Sequence, residues 1–570
     1  MKKTTRWAAA VCGAALTMTW VLARADATDI PVTMKVDVGR SIGKWNPAWR
    51  FFGYDECNYT YGKDGKKLLG ELAALGKSQI YIRCHHLLTS GDGTAAMKWG
   101  STNAYREDVS GNPIYDWTIL DKIFDTYKER GLKPYVEIGF MPKDLSTKPE
   151  LYPAMLDVNK MTKVDGGQAY PPKDFAKFGE LIYQWTKHCV ERYGKEEVAT
   201  WYWEVWNEPD ILYWKGTPAE YNKMYDYAVA GVRRALPEAR VGGPDSAGNA
   251  KWFGNFIDHC LEGENAATGE KGSPLDFVSF HAKGGPRFVK ASGDDKEGHV
   301  QMGIGTQLQK IQRYFAAVAS HPGAKNKPIV IGEWDPEGLA AKPWSSAPEV
   351  GYRVSPQFAS YEADAFLRTM QLAEKEGVNL EGVLTWSFEF EDKPWFAGFR
   401  TLATNGVDLP VMNVFRMLGK MDGDRVLLES SGDLGVDEVT TKSVHDKDDV
   451  MGMASMAERR LSVMAWNYHD DEVAGPNAAV SLAVAGLPTG VTEATVTEYR
   501  IDEEHSDAYT VWKKMGSPAD VSSDQYAQLE KAGQLAAVRE AENVKVADGK
   551  AIINITLPRN AVDMLVVEWK

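Results

Sequence analysis

Two glutamates follow apolar runs of the sequence, where they would be free to react. The run 200–206 is followed by Asn207-Glu208-Pro209, and the run beginning at Pro328 ends in Gly332-Glu333-Trp334. A pair of this kind cleaves a glycosidic bond: one carboxylic acid protonates the leaving oxygen while the other carboxylate meets the anomeric carbon. A gap of about 5–5.5 Å makes the second group a nucleophile with retention, whereas about 6.5–9.5 Å admits a water and inverts.

Each glutamate also has an ordinary structural interpretation. Pro209 follows Glu208, so Glu208 fits the amino terminus of a helix, where anions are favoured. Glu333 fits a solvated loop carboxylate. The two residues share matching positions at strand ends, and each has a tryptophan nearby. That coincidence favours the catalytic interpretation for the pair.

Further polar residues lie at or near the ends of other predicted strands. They are Arg83, His85 and His86 after the second strand, His281 and Lys283 after the sixth, and Trp386, Glu389 and Glu391 around the end of the eighth. The histidines are candidate metal ligands, but no H-E-x-x-H motif or tight ligand cluster is present. Contacts with substrate hydroxyls or buried hydrogen bonds are therefore the favoured interpretations. No G-x-S-x-G elbow supports a serine hydrolase.

An alternation of strands and helices must position these residues. We predict strands at 51–56, 79–86, 133–140, 200–206, 239–244, 275–282, 328–334 and 380–388. Helical patterns between them include 63–76, 117–130, 173–194, 218–235, 250–262, 306–319 and 360–376. Eight such repeats are typical of an α/β fold, the (β/α)8 TIM barrel, whose active site lies at the carboxyl ends of the strands. The fourth and seventh strands face each other there, so Glu208 and Glu333 should oppose one another.

A doubly wound open sheet is the alternative to the barrel. It would normally carry a glycine-rich phosphate turn after its first strand, and Gly53-Tyr54-Asp55-Glu56 is not such a turn.

The residue pattern of the sequence changes beyond about Gly423. Alternating runs at 461–468, 491–499, 551–557 and 562–569 are rich in Val, Ile and Thr and predict antiparallel sheet, with one helical insert near 523–537. Pro31–Val38 also alternates. We therefore predict a barrel at 49–422 and a β-sandwich at 423–570 that residues 26–48 join.

The first residues have the order of a secretory signal peptide. Lys2, Lys3 and Arg6 precede an apolar run from Trp7 to about Leu22, and Ala23-Arg24-Ala25 is an A-x-A cleavage site. A membrane anchor is the alternative, but the run is short of the usual ~20 apolar residues. We therefore expect a protein exported to a bacterial periplasm or beyond, without a membrane span, after removal of residues 1–25.

Charge and cysteine content exclude other classes. Loss of Lys2, Lys3, Arg6 and Arg24 with the signal shifts the formal net charge from −14 to −18, and no basic stripe is present, so nucleic acid is not an expected partner. The four remaining cysteines are too few for a disulfide scaffold, and their spacing matches no zinc motif. Cys57 and Cys84 fall near adjacent strands, yet buried free thiols are the favoured interpretation.

The chain resembles glycoside hydrolase family 39, the β-xylosidase and α-L-iduronidase family, over nearly all of its mature length, with bacterial β-xylosidases the most similar members. The resemblance is carried by Arg83-Cys84-His85, Trp206-Asn207-Glu208-Pro209, Asp276–His281, Trp386 with Phe390-Glu391-Asp392, and the tail segments Tyr499–Tyr509 and Trp512–Pro518.

This resemblance implies roles for individual residues. Glu208 would be the acid/base, Glu333 the nucleophile, and Asn207 a contact to the substrate 2-hydroxyl. The subsite for the non-reducing sugar would be lined by Arg83, His85, His281, Trp386 and Glu391. The chain departs from the family pattern at two places: Lys283 replaces the Tyr that is usual two residues after the histidine of the sixth strand, and the segment from Trp386 to Glu391 is about two residues short. Both departures touch the sugar pocket, so Lys283 is also a candidate substrate contact.

The resulting expectation is an exo-acting β-D-xylosidase that hydrolyses small xylo-oligosaccharides with retention and without a cofactor or metal. An α-L-iduronidase or an endo-acting polysaccharide hydrolase is the alternative, and Lys283 would favour a carboxylated sugar. A non-catalytic carbohydrate-binding barrel is more remote, because a pure binder gains nothing from two opposed acids that repel each other. The sequence is compatible with a homo-oligomer.

Overall fold

A computed structural model describes residues 29–153, 166–291, 297–339 and 341–570. The predicted signal peptide, residues 1–25, lies outside the described residues. No helix in the described part of the chain has both the length and the apolar character needed to cross a membrane.

Eight parallel strands close into a barrel, and all eight were predicted. The first to eighth barrel strands are Phe51–Tyr54, Tyr81–Cys84, Lys133–Ile138, Tyr202–Val205, Arg240–Ser246, Phe277–His281, Pro328–Glu333 and Asn379–Trp386. Each strand pairs with its neighbour in the sequence, and the eighth closes on the first through Leu384 opposite Phe51. The predicted fold class is confirmed, and the open-sheet alternative is wrong.

A helix follows every barrel strand. These barrel helices are Lys63–Ala73, Thr118–Glu129, Phe175–Tyr193, Pro218–Ala235, Ala250–Glu262, Ile304–Ala319, Pro356–Glu376 and Pro410–Leu418. Local sequence fixes several ends: Thr217 and Glu220 form a capping box with Pro218 at the first helical position, and Gly377 ends its helix at φ 65°. Three hairpins also lie in the loops, at 105–107 with 113–115, 287–290 with 298–301, and 403–404 with 407–408.

Inward-facing residues of the barrel strands form two layers of different chemistry. The aromatic floor consists of Phe51, Tyr81, Tyr135, Tyr202, Phe277, Val330, Leu384 and Trp386. Because strand side chains alternate, the residues two positions after Tyr81, Tyr135 and Tyr202 face inward as well. These are Arg83, Glu137 and Glu204, all fully buried, which we call the ionic layer. It supports the candidate site at the carboxyl ends of the strands.

A second, mostly antiparallel sheet lies outside the barrel. Its nine strands are, in hydrogen-bonded order, 536–545, 493–501, 562–568, 460–468, 449–457, 424–430, 30–44, 478–485 and 551–557. Strand 30–44 pairs antiparallel with 424–430 and parallel with 478–485. The two edge strands approach one another, since Arg539 donates to the carbonyl of Asn554 at 3.1 Å.

The other helical segments of the described chain are short, and its cysteines are buried. Short helices accompany the second sheet at Val436–Lys442, Ala508–Lys514 and Ser523–Gly533, the last matching the predicted insert, and Lys195–Val198 precedes the fourth barrel strand. Short 3-10 turns lie at 57–59, 143–145, 149–151, 167–169 and 348–354. Cys57, Cys84, Cys189 and Cys260 are buried free thiols, as expected.

Candidate active site

The barrel brings Glu208 and Glu333 together at its mouth. A carboxylate oxygen of each and a ring nitrogen of His281 all lie within 4.8 Å of one another. The side chains of both glutamates are largely shielded, with 12% and 7% of their surface exposed. Two opposed carboxyl groups therefore share a small, nearly dry space.

Glu333 is surrounded by positive charge. The Lys283 ammonium makes an ion pair with its Oε2, His85 Nε2 lies 3.4 Å and Arg83 Nη1 3.9 Å from its Oε1. Burial alone would raise the pKa of Glu333, but the charges of His281, Lys283 and His85 hold that pKa well below its usual range. Glu333 is thus a stable carboxylate, the state a nucleophile requires.

Glu208 is held in a strained loop. Its backbone has φ 47°, and Trp206, two residues earlier, has φ 77°, both in the left-handed region that side chains rarely adopt. The amide of Glu208 donates to the carbonyl of Asp245 at 3.1 Å, and its Oε1 lies 2.8 Å from His281 Nδ1. Strain that the surroundings enforce is common at functional sites.

Arg83 connects the ionic layer to the site. Its Nε lies 2.6 Å from Glu204, and its Nη2 lies 2.8 Å from Glu137 and 3.1 Å from the side-chain oxygen of Asn207. The guanidinium also stands 5.1 Å from the ring of Trp386. Burial, together with the charge of Asp245, raises the pKa of Glu204 to about 7 despite Arg83. Through its contacts with Glu137 and Glu204, Arg83 links the third and fourth strands.

A chain of ion pairs runs from the end of the first strand to Glu333. Asp55 accepts from Lys98 at 2.5 Å and lies 3.5 Å from Arg400, which contacts Asp335 at 2.7 Å. Asp335 in turn accepts from Lys283 at 2.6 Å. We call this the charged rim: Lys98, Asp55, Arg400, Asp335 and Lys283. It lines the mouth with three cations.

Most of the predicted substrate contacts lie around the pair. His85 packs on Trp386 with ring centroids 4.4 Å apart, and His85 Nδ1 lies 2.5 Å from Glu137. Asn207 is fully buried, and its Nδ2 has no hydrogen-bond partner in the described structure. An orphaned buried donor beside two acids is suited to a substrate hydroxyl.

Glu391 is placed differently. Its Oε1 accepts from the backbone amide of Asp64 at 2.9 Å, at the amino end of helix Lys63–Ala73. An acid is favoured at that position by the helix dipole. The structure therefore does not bring Glu391 together with Glu208 and Glu333, although the sequence grouped them.

Sequence reasoning missed several members of the site. They are Asp55, Lys98, Glu137, Glu204, Asp245, Asp335 and Arg400. A signal for two of them was available, since Glu137 and Glu204 are acids inside otherwise apolar strands, where a charge must be paired. Asp335 and Arg400 come from loops and carried no such signal.

Within the described residues, Glu208, His281 and Glu333 form the one group close enough to hold a metal ion. Both ring nitrogens of His281 are already engaged by carboxylates, Nδ1 by Glu208 and Nε2 by Asp245. The Lys283 ammonium contacts Glu333. The negative charge of the group is thus balanced by cations of the protein itself.

Comparisons with known proteins agree with this geometry. A β-xylosidase of Caldicellulosiruptor saccharolyticus is 26% identical over 512 residues, covering 88% of this chain and 91% of the relative. A mouse (Mus musculus) α-L-iduronidase is 25% identical over 88% of this chain and 75% of its own length. The crystal structure of a monomeric β-xylosidase from Caulobacter crescentus CB15 shares the fold, with a TM-score of 0.72 at 22% identity over 94% of this chain and 99% of that one. The profile described as Glycosyl hydrolases family 39 matches residues 32–550, and the chain belongs to that family of glycosidases.

Proposed function

We propose that the protein is a retaining, exo-acting β-D-xylosidase that releases xylose from the non-reducing end of xylo-oligosaccharides. The observation that carries the retaining mechanism is the approach of Glu208 and Glu333 to within 4.8 Å. That separation corresponds to the close spacing of retaining enzymes and leaves no room for a water between Glu333 and the anomeric carbon.

The mechanism gives each of the two carboxyl groups a different role. Glu333 attacks the anomeric carbon while Glu208 gives its proton to the leaving oxygen, which departs with the bonding electron pair. Glu208 then removes a proton from a water whose oxygen attacks the same carbon, and the bond to Glu333 breaks. Asn207 Nδ2 is the donor available for the sugar 2-hydroxyl.

Exo action is supported by the enclosure of the site. An endo-acting enzyme must pass a chain through a cleft that is open at both ends, whereas Glu333 is buried and the charged rim reaches it through Lys283. The similar β-xylosidase of Caldicellulosiruptor saccharolyticus supports xylose as the sugar.

A second candidate, a uronide-cleaving enzyme such as an α-L-iduronidase, is favoured by one observation. Lys283 Nζ lies between Glu333 and Asp335 at the mouth, with Arg400 on the far side of Asp335. A sugar carboxylate would find these two cations within reach of the anomeric position.

Initial rates on an aryl β-xyloside and an aryl α-iduronide separate the two sugars. We expect turnover of the xyloside. If the enzyme cleaves the iduronide and does not cleave the xyloside, the second candidate is correct. Lys283→Met sharpens the choice, because it should cost a uronide at least about tenfold more in kcat/KM than a xyloside. Turnover of neither glycoside would favour the non-catalytic binding barrel.

Product stereochemistry tests the carboxylate pair. Proton NMR of the first-formed sugar should show the anomeric configuration of the substrate, and an inverted product would contradict the retaining proposal. Glu333→Ala should lose more than ~10³-fold in kcat. Azide should partly restore turnover in that variant, giving a glycosyl azide of inverted configuration. Ordinary turnover without azide would exclude Glu333 as the nucleophile.

We further propose that the protein acts outside the cytoplasm. The support is the order of charged, apolar and small residues within residues 1–25. Expression of the full chain in a bacterium, followed by amino-terminal sequencing of the periplasmic and secreted fractions, should give a mature protein beginning at Asp26. Uncleaved protein confined to the cytoplasm would contradict this.

A further inference from the structure

His281 lies in the middle of a buried chain of charged groups. It ends the sixth barrel strand and is fully buried, and its Nδ1 lies 2.8 Å from Glu208 Oε1 while its Nε2 lies 2.7 Å from Asp245 Oδ2. Asp245 is an ionised carboxylate that can only accept, so Nε2 must donate to it. With the proton of Glu208 on Oε2, Glu208 Oε1 also accepts, so Nδ1 donates as well and the ring carries a proton on each nitrogen. Burial alone would lower the pKa of His281, but the charges of Asp245 and Glu333 raise it well above its usual range.

Asp245 is fixed by four elements of the barrel. It is the penultimate residue of the fifth strand and has φ 56°, its amide donates to Ser279 Oγ at 3.2 Å, and Arg83 Nη2 lies 2.5 Å from its Oδ2. A Cβ atom on Gly332, the residue before the nucleophile, would overlap Asp245 Oδ1. The lack of a side chain at 332 is what lets this carboxylate reach the histidine.

We infer that Asp245 is a positioning residue for the reaction, which holds His281 as an imidazolium so that its Nδ1–H fixes one oxygen of Glu208. The chain is Arg83–Asp245–His281–Glu208, and it leaves Glu208 Oε2 to carry the proton that reaches the glycosidic oxygen. As that proton leaves, the new carboxylate is met by a charge-assisted hydrogen bond from His281. His281 itself gains and loses no proton during the cycle.

This inference rests on the proposed hydrolysis, but the charge of His281 can be measured without any substrate. The charged groups that face the ring are, from every packed strand, Glu208, Asp245, Glu333, Lys283 and, through Asp245, Arg83. The 15N signals of the ring, assigned by their loss in His281→Gln, should stay at imidazolium values from pH 5 to pH 8. A neutral ring at pH 7 would overturn the inference.

Asp245→Asn tests the effect on catalysis. The variant keeps the volume but removes the charge that holds the proton on His281, so the pKa of the ring should fall. We expect kcat/KM to drop at least ~10-fold more for an alkyl glycoside, which needs the acid, than for an aryl glycoside with a good leaving group. Activity of the variant should also decline on the basic side at a pH at least about one unit lower than in the unaltered enzyme.

Asp226→Asn is the matched control. Asp226 is a fully buried acid that holds His259 at 2.9 Å among the outer helices. It should lower stability like Asp245→Asn, yet leave the leaving-group dependence and the basic limb unchanged. If the two variants behave alike in both kinetic measurements, Asp245 has only a structural role. If Asp245→Asn does not fold, the ring titration of the unaltered protein decides.

Discussion

On the second, third and fourth barrel strands, the aromatic floor and the ionic layer lie two residues apart, and both are buried. In the floor, rings pack directly: Phe51 stacks on Tyr81 with centroids 5.2 Å apart, and Tyr135 on Tyr202 at 5.2 Å. In the ionic layer, Arg83 is held by Glu137 and Glu204 instead. The floor contributes stability through apolar burial, which is roughly additive and tolerates rearrangement.

The ionic layer works by a different rule. Its charges have been taken out of water, so each is tolerable only while its partner stays in place. A single loss there leaves uncompensated charge, whereas a single loss in the floor leaves a void. Such a network adds little net stability but orients the groups above it, which is why the reactive carboxyls stand on this layer and not directly on the floor.

Among the variants that test this difference between the floor and the ionic layer, Arg83→Met should have the largest effect. It leaves Glu137, Glu204 and Asp245 without their shared cation, so we expect a loss of about 3–5 kcal/mol in the free energy of unfolding. The groups around Glu333 should shift as well, lowering kcat/KM by at least ~10²-fold. Thermal denaturation and steady-state kinetics measure both.

The control for that variant is Arg234→Met. Arg234 pairs with Glu180 on the surface, where the two side chains are 53% and 40% exposed. Such pairs contribute about 0–1 kcal/mol. An Arg83→Met protein that is as stable and active as this control would refute the idea that the ionic layer depends on its cation.

Phe51→Ala should affect the floor alone. Removing the ring leaves a cavity against Tyr81 and Tyr202, which should cost about 3–5 kcal/mol. Activity per folded molecule should change less than about threefold, since the ionic layer lies between this ring and the reacting carboxyls. Active-site titration alongside thermal melts checks this. A drop in kcat as large as that of Arg83→Met would show that the two layers are not separable.

Glu389→Gln tests a buried carboxyl group that has two acids, Asp64 and Asp408, as well as Lys67 in its surroundings. Burial raises the pKa of Glu389 to about 8, although its Oε1 accepts from the amide of Gly406 at 2.5 Å. A raised pKa stabilises the fold below about pH 4.3, the unfolded value, and that contribution is lost as pH rises through about 8. The glutamine variant has no carboxyl group to ionise at this position, so its stability does not fall for this reason as the pH rises.

The melting temperature of Glu389→Gln relative to that of the unaltered protein should therefore rise from pH 5 through pH 7 to pH 9. At pH 9 the variant should melt a few °C higher. Glu429→Gln, an exposed change on a strand of the second sheet, should show no such widening difference. A constant difference for Glu389→Gln across the three pH values would contradict the burial of a neutral acid.

The smallest effect should come from Tyr135→Phe, at the junction of the two layers. The Tyr135 hydroxyl donates to Glu204 at 2.8 Å, while its ring belongs to the floor. Loss of one hydrogen bond should cost about 1 kcal/mol, and kcat/KM should stay within about threefold. A loss in kcat/KM beyond tenfold would mean that the hydroxyl positions the site.

Periodicity made the barrel and its opposed glutamates predictable. Apolar runs separated by helical patterns located all eight strands, and the known geometry of closed barrels placed Glu208 opposite Glu333. Arg83, His85, His281 and Trp386 were found for the same reason, because they end or nearly end strands. Lys283, chosen as a departure from the family pattern, contacts Glu333 directly.

Long-range pairing was not predictable. Nothing local indicates that Asp335 meets Arg400, 65 residues later, or that Asp55 meets Lys98. Glu391 was assigned to the sugar subsite because of the family resemblance, yet its carboxylate accepts from the amide of Asp64 at a helix end. Strand ends are positioned by hydrogen-bond register, whereas loop side chains depend on contacts that form only in the folded chain.

The bare backbone at Gly332 limits how the enzyme can be diversified. Residues of the charged rim lie on loops outside the barrel strands, so the barrel itself does not dictate them, but each is paired with another rim residue and a change at one leaves its partner uncompensated. At 332 even one added methyl group would push the Asp245 carboxylate out of its place. A library that seeks new sugar specificity has to vary Lys98 and Arg400 together with their partners Asp55 and Asp335, and it has to keep position 332 as it is.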